Sequence, residues 1–329
     1  MAASGIMAPT AQTTTETGNT GPVIFLMGPT GSGKSALGMD LAERFGLEIV
    51  NTDSVQLYRG LEIGSAKPGT AERLRVRHHL LDLTTPDDPF SVGRFRTLAL
   101  ECLEACHARR VVPILVGGTG LYFRAVERGL SAIPPVDPER RKSLLAEGEA
   151  LGWPRLHTRL GGVDPEAARR IAPNDAQRLV RALAVFDSSG VPLSEWHRRG
   201  SPPPTFPLLK LALLPEREGL YARIDRRFEA MLAAGLLAEV AHLAAQGFAR
   251  ELPAMKAVGY RQLLRHLDGQ LSLEEAVILA KRDSRRYAKR QITWLRHEPG
   301  IVFLTGPDPA AEAGTRVTRF LAHHSHGSR

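Results

Sequence analysis

The stretch GPTGSGKS at residues 28–35 constrains this chain more than any other, because it fits the phosphate-cradling pattern G-x-x-x-x-G-K-[ST]. Such a loop works only between a strand and a helix, where successive backbone N–H groups and the helix N-terminus converge on one anion. The flanks meet that demand: PVIFLM precedes Gly28, the helix-like SALGMDLAERFG follows Lys34, and LEIVNT reads as a second strand. Strand, crossover helix, strand is the order of a parallel sheet. Gly28, Pro29, Thr30, Gly31, Ser32, Gly33, Lys34 and Ser35 are therefore expected to bind phosphate, with Lys34 against the anion and the Ser35 hydroxyl on Mg2+. The loop alone does not report which phosphorylated molecule it holds.

Further along, HHLLDL at 78–83 reads as a short strand, Ser91 as the cap of a helix running to about Arg110, and VVPILVGG at 111–118 as a buried strand of the same sheet. Between about 130 and 200 strand signals stop. IPPVDPER, GGVDPEAARR and APNDAQRLVRAL each read as a turn opening a helix. GSPPPTFP is a stiff connector, LLKLALLP returns as a strand, and residues 216–247 are helical by period. A capping box of Ser272 with Glu275 starts a helix to about Arg296, and IVFLT at 301–305 closes the sheet. The expectation is an α/β protein, a P-loop NTPase-like parallel sheet flanked by helices, with an inserted helical domain. Its parts are a disordered leader at 1–20, a core at 21–129 and 205–310, the insertion at 130–204 and a C-terminal tail at 311–329.

With 329 residues, 43% of them hydrophobic, the chain can bury a substantial core. The leader lacks an apolar segment and any Arg, so neither a secretory nor a transit signal is expected. Apolar runs fall short of the roughly 20 residues a bilayer needs, so a soluble, cytoplasmic protein is expected. Cys102, Cys106 and His107 allow a metal pair on spacing alone, but with no second ligand pair nearby inert thiols are the expectation. The net charge of +8 favours polyanions, although a solvated basic surface accounts for it equally well.

NTDSVQLY places Asp53, Ser54, Val55 and Gln56 just past the carboxyl end of the second strand, where ligands bind in open α/β sheets. Asp53 there is a base, a metal ligand or a turn cap. GGTGLYF puts Thr119 at the same edge, as a catalytic donor or a helix N-cap. VVPILVGG lacks the strand-end Asp of an NTP-hydrolysing site, which weakens that reading. In PEREGLYARIDRRF, Arg223 and Arg227 share a helix face and Arg217 lies off it; Arg forks suit phosphate oxygens. KRDSRRYAKRQITWLR at 281–296 is a basic helix that can track a nucleic-acid backbone, while its aromatics, Tyr287 and Trp294, are expected to face the core.

Taken in order, GPTGSGKS, NTDSVQLYRGLEIGSAKP, HHLLD, LVGGTGLYFRA, NDAQRLVRAL, KAVGYRQ and AKRQITWLR resemble the tRNA dimethylallyltransferase family, also called tRNA isopentenyltransferases, from about residue 22 to about 305. The resemblance implies a bacterial-type enzyme, since the C-terminus carries no Cys/His array. Position 31 departs from the family pattern, with Gly where Ala is common; the change is expected only to loosen the turn. The implied reaction moves a dimethylallyl group from dimethylallyl diphosphate to the exocyclic N6 of the adenine 3′-adjacent to the anticodon, releasing diphosphate and consuming no ATP. It implies Asp53 as base, with Thr119 and Arg223 assisting the departing diphosphate. It further implies that Asp53, Ser54, Val55, Gln56, Thr119, Arg141, Gln177, Arg178, Leu179, Val180, Arg181, Lys256, Gly259, Tyr260 and Arg261 touch the tRNA anticodon loop. A monomer without a stable protein partner is expected. The runner-up is a small-molecule kinase of the same loop class, which would consume ATP; a non-catalytic RNA-binding module stands third.

Overall fold

The computed structural model describes residues 21–200 and 203–324; the expected leader at 1–20 lies outside the described residues. In chain order the elements are β1 (Val23–Met27), α1 (Lys34–Phe45), β2 (Glu48–Thr52), α2 (Thr70–Arg75), β3 (His78–His79), α3 (Val92–Ala108), β4 (Pro113–Gly117) and α4 (Gly120–Arg128). There follow α5 (Pro138–Leu151), α6 (Trp153–Val163), α7 (Pro165–Arg170), α8 (Ala176–Ser189), α9 (Leu193–Arg199) and β5 (Leu208–Leu213). The chain closes with α10 (Arg217–Ala233), α11 (Leu236–Ala245), α12 (Tyr260–Leu267), α13 (Leu273–Arg296), β6 (Val302–Leu304) and α14 (Pro309–His324). Two compact units divide them: residues 21–89, 99–119 and 205–324 in one, residues 90–98 and 120–204 in the other.

All six strands of the first unit form one sheet, ordered β3-β2-β4-β1-β5-β6, and every pairing is parallel. Both β1 and β4 are buried at every residue, as befits central strands covered on both faces. One face packs Ile24, Leu26, Ile49, Ile114, Val116 and Leu211 against Leu37 and Leu41 of α1 and Ala313 and Val317 of α14. Residues 311–324, expected as a tail, are thus part of a core helix. Burying Val317 completely is worth about 1.5–3 kcal/mol, enough to seat the helix.

Register decides where chemistry can happen. Met27 pairs with Gly117 and Thr52 pairs with Gly117, so β1, β2 and β4 end level at one sheet edge. Their outgoing loops begin at Gly28, Asp53 and Gly118. The strand expected at 78–83 is cut to His78–His79, because Leu80 and Asp82 adopt positive φ (59° and 54°). Those carbonyls and side chains serve the loop after β2 instead: Leu80 O accepts the Asn51 amide, and Asp82 binds Lys67 and Arg73.

In the second unit, Asp137, Asp164 and Asp175 each accept a backbone N–H as the cap of α5, α7 and α8, so the three turn motifs open helices as the sequence suggested. Leu144, Leu156, Leu160, Leu179, Val180 and Leu183 form its core.

Candidate active site

Residues 28–33 turn between β1 and α1 through two glycines at positive φ, Gly31 (77°) and Gly33 (93°). A methyl on Gly31 would lie 2.9 Å from the Ile224 side chain of α10, so in this chain the glycine accommodates the close approach of α10 as well as the positive φ of the turn. The Ser32 hydroxyl is buried in the loop with no hydrogen-bond partner among the described residues, which a phosphate oxygen would supply. Lys34 donates to Pro29 O at 3.3 Å. Burial lowers the Lys34 ammonium to about 8, opposed by the Asp53 carboxylate and assisted by the Arg227 charge.

Asp53 follows β2 in a loop held from three sides. The Asn51 side chain accepts from Asp53 N at 3.0 Å, Gln56 donates to Ser65 O and Ala66 O, and buried Lys67 binds Tyr58 O, Glu62 and Asp82. Asp53 Oδ1 accepts from Val55 N at 2.9 Å; Oδ2 accepts no hydrogen bond among the described residues. Thr119 Oγ1 accepts from Ser54 N at 3.2 Å and approaches Ser54 Oγ at 3.4 Å, tying the β2 and β4 loops together. Asp53, Thr119 and the Lys34 loop therefore meet at one sheet edge.

Helices α10 and α13 complete the surroundings. Arg223 donates from Nε to Gly31 O at 3.0 Å, and its Nη atoms make no hydrogen bond among the described residues. Arg227 carries a charge coupled to Asp53 and Lys34, while Arg217 lies over the Tyr221 ring. Tyr287 reverses an expectation. Its ring is only partly buried and lies near enough to Asp53 to feel the carboxylate, so it belongs to the site; burial first, then the Asp53 charge, pushes its hydroxyl up to about 12. Gln291, 7% exposed, accepts from Thr30 N and donates to Gly118 O, both at 2.9 Å, and so bridges the phosphate loop to the loop after β4. Sequence reasoning missed Gln291, expected Tyr287 to face the core, and had Arg227 only as a neighbour of Arg223 on a helix face suited to phosphate oxygens. Helical spacing carried the only signal: Arg227 lies four after Arg223, and Gln291 four after Tyr287.

Other candidates part company with their expected role. Tyr260 is fully buried, with its hydroxyl on Glu239 at 2.6 Å, and its ring fills the space that a side chain at Gly64 would need. Gly259 is buried at the start of α12 with φ 96°, its N–H on Gln262. Leu179 and Val180 are core residues of the second unit. The side chains of Tyr260, Leu179 and Val180 are thus packed inside the protein, and Gly259 has no side chain to offer RNA. Lys256, Arg261, Gln177, Arg178, Arg141 and Arg181 do reach the surface. Arg261 pairs with Asp283, whereas Arg141 and Arg181 stand beside each other with no acidic partner among the described residues; partial burial and the Arg141 charge lower Arg181. Val55 and Gln56 are half-buried, the latter committed to Ser65 O and Ala66 O.

Ser35 sits at the N-terminus of α1 with an exposed hydroxyl that makes no hydrogen bond among the described residues. One free hydroxyl suits Mg2+, which keeps most of its ligands as water and substrate phosphate.

A phosphate loop at the sheet edge with a carboxylate and a hydroxyl beside it defines a P-loop-type α/β protein suited to a phosphorylated ligand. Comparison with known proteins is more specific. The family model for IPP transferase matches residues 56–298, and that for isopentenyl transferase matches residues 21–88. A tRNA dimethylallyltransferase of Magnetococcus marinus is 53% identical over 298 residues, covering 89% of this chain and 97% of that protein. One from Syntrophobacter fumaroxidans is 50% identical, covering 84% and 82%. Among solved structures, the full-length tRNA isopentenylpyrophosphate transferase of Bacillus halodurans aligns with TM-score 0.68 at 35% identity, over 92% of this chain and 98% of that one. A eukaryotic dimethylallyltransferase caught acting on tRNA aligns with TM-score 0.76 at 28% identity, over 92% and 78%. The chain belongs to the tRNA dimethylallyltransferase family.

Proposed function

We propose that this protein transfers a dimethylallyl group from dimethylallyl diphosphate to the exocyclic N6 of the adenine 3′-adjacent to the anticodon, releasing diphosphate. The observation that carries this reading is the meeting of Asp53, Thr119 and the Lys34 loop at one sheet edge, in a chain of this family. When the allylic C–O bond breaks, negative charge collects on the diphosphate. Loop amides, Lys34 and the free Nη atoms of Arg223 stabilise it, and Mg2+ on the Ser35 hydroxyl would neutralise part of it when bound.

Adenine N6 is a poor nucleophile because its lone pair is drawn into the ring. Asp53 Oδ2, with no competing hydrogen bond, accepts the amine proton as the new C–N bond forms. Thr119, tied to Ser54, keeps its hydroxyl at the same edge and serves the leaving group. The target base has to leave the anticodon-loop stack to reach Asp53, and exposed Arg141, Gln177, Arg178 and Arg181, with Lys256, contact the RNA.

Among the described residues no single helix is long and apolar enough to cross a membrane. We place the protein in the cytoplasm, where its RNA substrate resides, and take it to act as a monomer. The test supplies Mg2+, unmodified tRNA and labelled dimethylallyl diphosphate without ATP. Label entering the RNA is the expected result; a requirement for ATP would favour the kinase alternative.

A further inference from the structure

Glu48, His79 and Cys106 come together on the first unit, each offering one metal-ligating atom within 4.8 Å of the others. Glu48 opens β2, whereas the active-site loops leave its far end at Thr52, so about 13 Å of strand separates the two places. His79 is the last residue of the two-residue edge strand β3, and Cys106 lies in the last turn of α3. His107, its sequence neighbour, turns away to bond Pro22 O.

The donor triangle has the size of a first-row metal site. Cys106 Sγ lies 3.5 Å from Glu48 Oε2 and 3.9 Å from His79 Nε2, and Nε2 lies 2.7 Å from Oε2. Tetrahedral zinc with ordinary bond lengths requires separations of about 3.5 Å for sulfur with nitrogen or oxygen, and about 3.3 Å between nitrogen and oxygen. The short His79–Glu48 hydrogen bond has to open by roughly half an ångström and the sulfur–nitrogen separation has to close by roughly the same amount, while the sulfur–oxygen separation already fits. The side chains are nearly enclosed, Glu48 at 12% and His79 at 14% exposure, with Cys106 fully buried.

Arg109 is the one obstacle, and its geometry makes it a conditional one. It bonds Glu48 Oε1 through Nη1 and Oε2 through Nη2, on a side chain 39% exposed. Withdrawal of Nη2 frees Oε2 for a metal while Nη1 continues to orient the carboxylate through Oε1.

We propose that Glu48 Oε2, His79 Nε2 and Cys106 Sγ form a three-ligand site for a divalent d-block cation of zinc's softness, with water in the fourth position, which staples the edge strand β3 and helix α3 to β2. Binding forms the metal–sulfur bond as the thiol proton leaves to solvent. A nitrogen, sulfur and carboxylate set selects zinc over magnesium, so this site and the Ser35 hydroxyl do not compete.

The test titrates the full, chelator-stripped chain with Co2+ as probe. Expected is one site with a near-ultraviolet sulfur-to-metal charge-transfer band, kept in Cys102→Ser and weakened at least tenfold in affinity by Cys106→Ser and by His79→Gln. Far-UV circular dichroism confirms that each variant folds, and His79→Gln serves if Cys106→Ser does not. Zn2+ is expected to raise the Tm of the wild type and not of a folded ligand variant. A wild-type protein with no charge-transfer band at saturating Co2+, or a band that survives the ligand variants, overturns the proposal.

Discussion

Asp53 commits Oδ1 to the Val55 amide and keeps Oδ2 without a hydrogen bond, a division that leaves one oxygen as an acceptor at the catalytic edge. Removing the carboxylate's basicity while keeping its shape isolates this role. Asp53→Asn is expected to lower kcat by about 10² to 10⁴ with tRNA affinity nearly unchanged, measured by single-turnover kinetics beside filter binding. Lys34 makes a second prediction. Its free-state value near 8 lies below the ordinary lysine range because its ammonium is buried. A bound diphosphate stabilises the ammonium and raises that value, so between the two values the complex holds more protons than the free protein. Binding of dimethylallyl diphosphate should therefore take up a proton and weaken as pH rises through about 8. Titration calorimetry in buffers of different ionisation enthalpy reads the uptake, and Lys34→Arg should abolish it. The residue scale also separates what the sequence could tell from what it could not. Gly28, Lys34 and Ser35 were legible because a phosphate loop is local chemistry. Tyr260 misled, because its motif is held by packing against Gly64 and by Glu239 rather than by a ligand.

At the scale of elements, α13 does more than cover the sheet. Its capping box of Ser272 and Glu275 was legible as a start signal, and its basic face is largely spent on ion pairs: Lys281 with Glu229, Arg285 with Asp225, Arg282 and Arg286 with Asp283. What it delivers to the site, Tyr287 and Gln291, was not legible. Their partners lie far away in sequence, and no spacing rule links position 291 to Thr30 or Gly118. Strand β3 was overread for a related reason, since Asn51 and Lys67 claim the groups that would have continued it. Gln291→Ala leaves a partly buried N–H and a partly buried C=O unpaired, each costing at most about 1–3 kcal/mol. It should lower the Tm and raise KM for the prenyl donor more than it lowers tRNA affinity. Differential scanning calorimetry and steady-state kinetics check both parts.

At the scale of the whole molecule, a parallel sheet brings the phosphate loop, Asp53 and Thr119 to its edge, and a second, helical unit exposes basic residues. Both were expected from strand order and from the three Asp-capped turns, whereas α14 was not, because its short apolar stripe did not distinguish a core helix from a tail. Arg141 and Arg181 repel one another with no acid to balance them among the described residues, an arrangement suited to phosphate. Replacing either with Ala should weaken tRNA binding evenly across tRNA sequences and reduce the slope of log affinity against log salt by about 1. The proposed function requires that the phosphate loop hold a prenyl donor whose group ends on one adenine. Its most direct measurement is nuclease digestion and mass spectrometry of total unmodified tRNA after incubation with the protein, Mg2+ and dimethylallyl diphosphate, with ATP withheld. The predicted result is one five-carbon unit on the adenosine 3′-adjacent to the anticodon and nowhere else; unmodified tRNA, or prenylation at a different nucleotide, would contradict it.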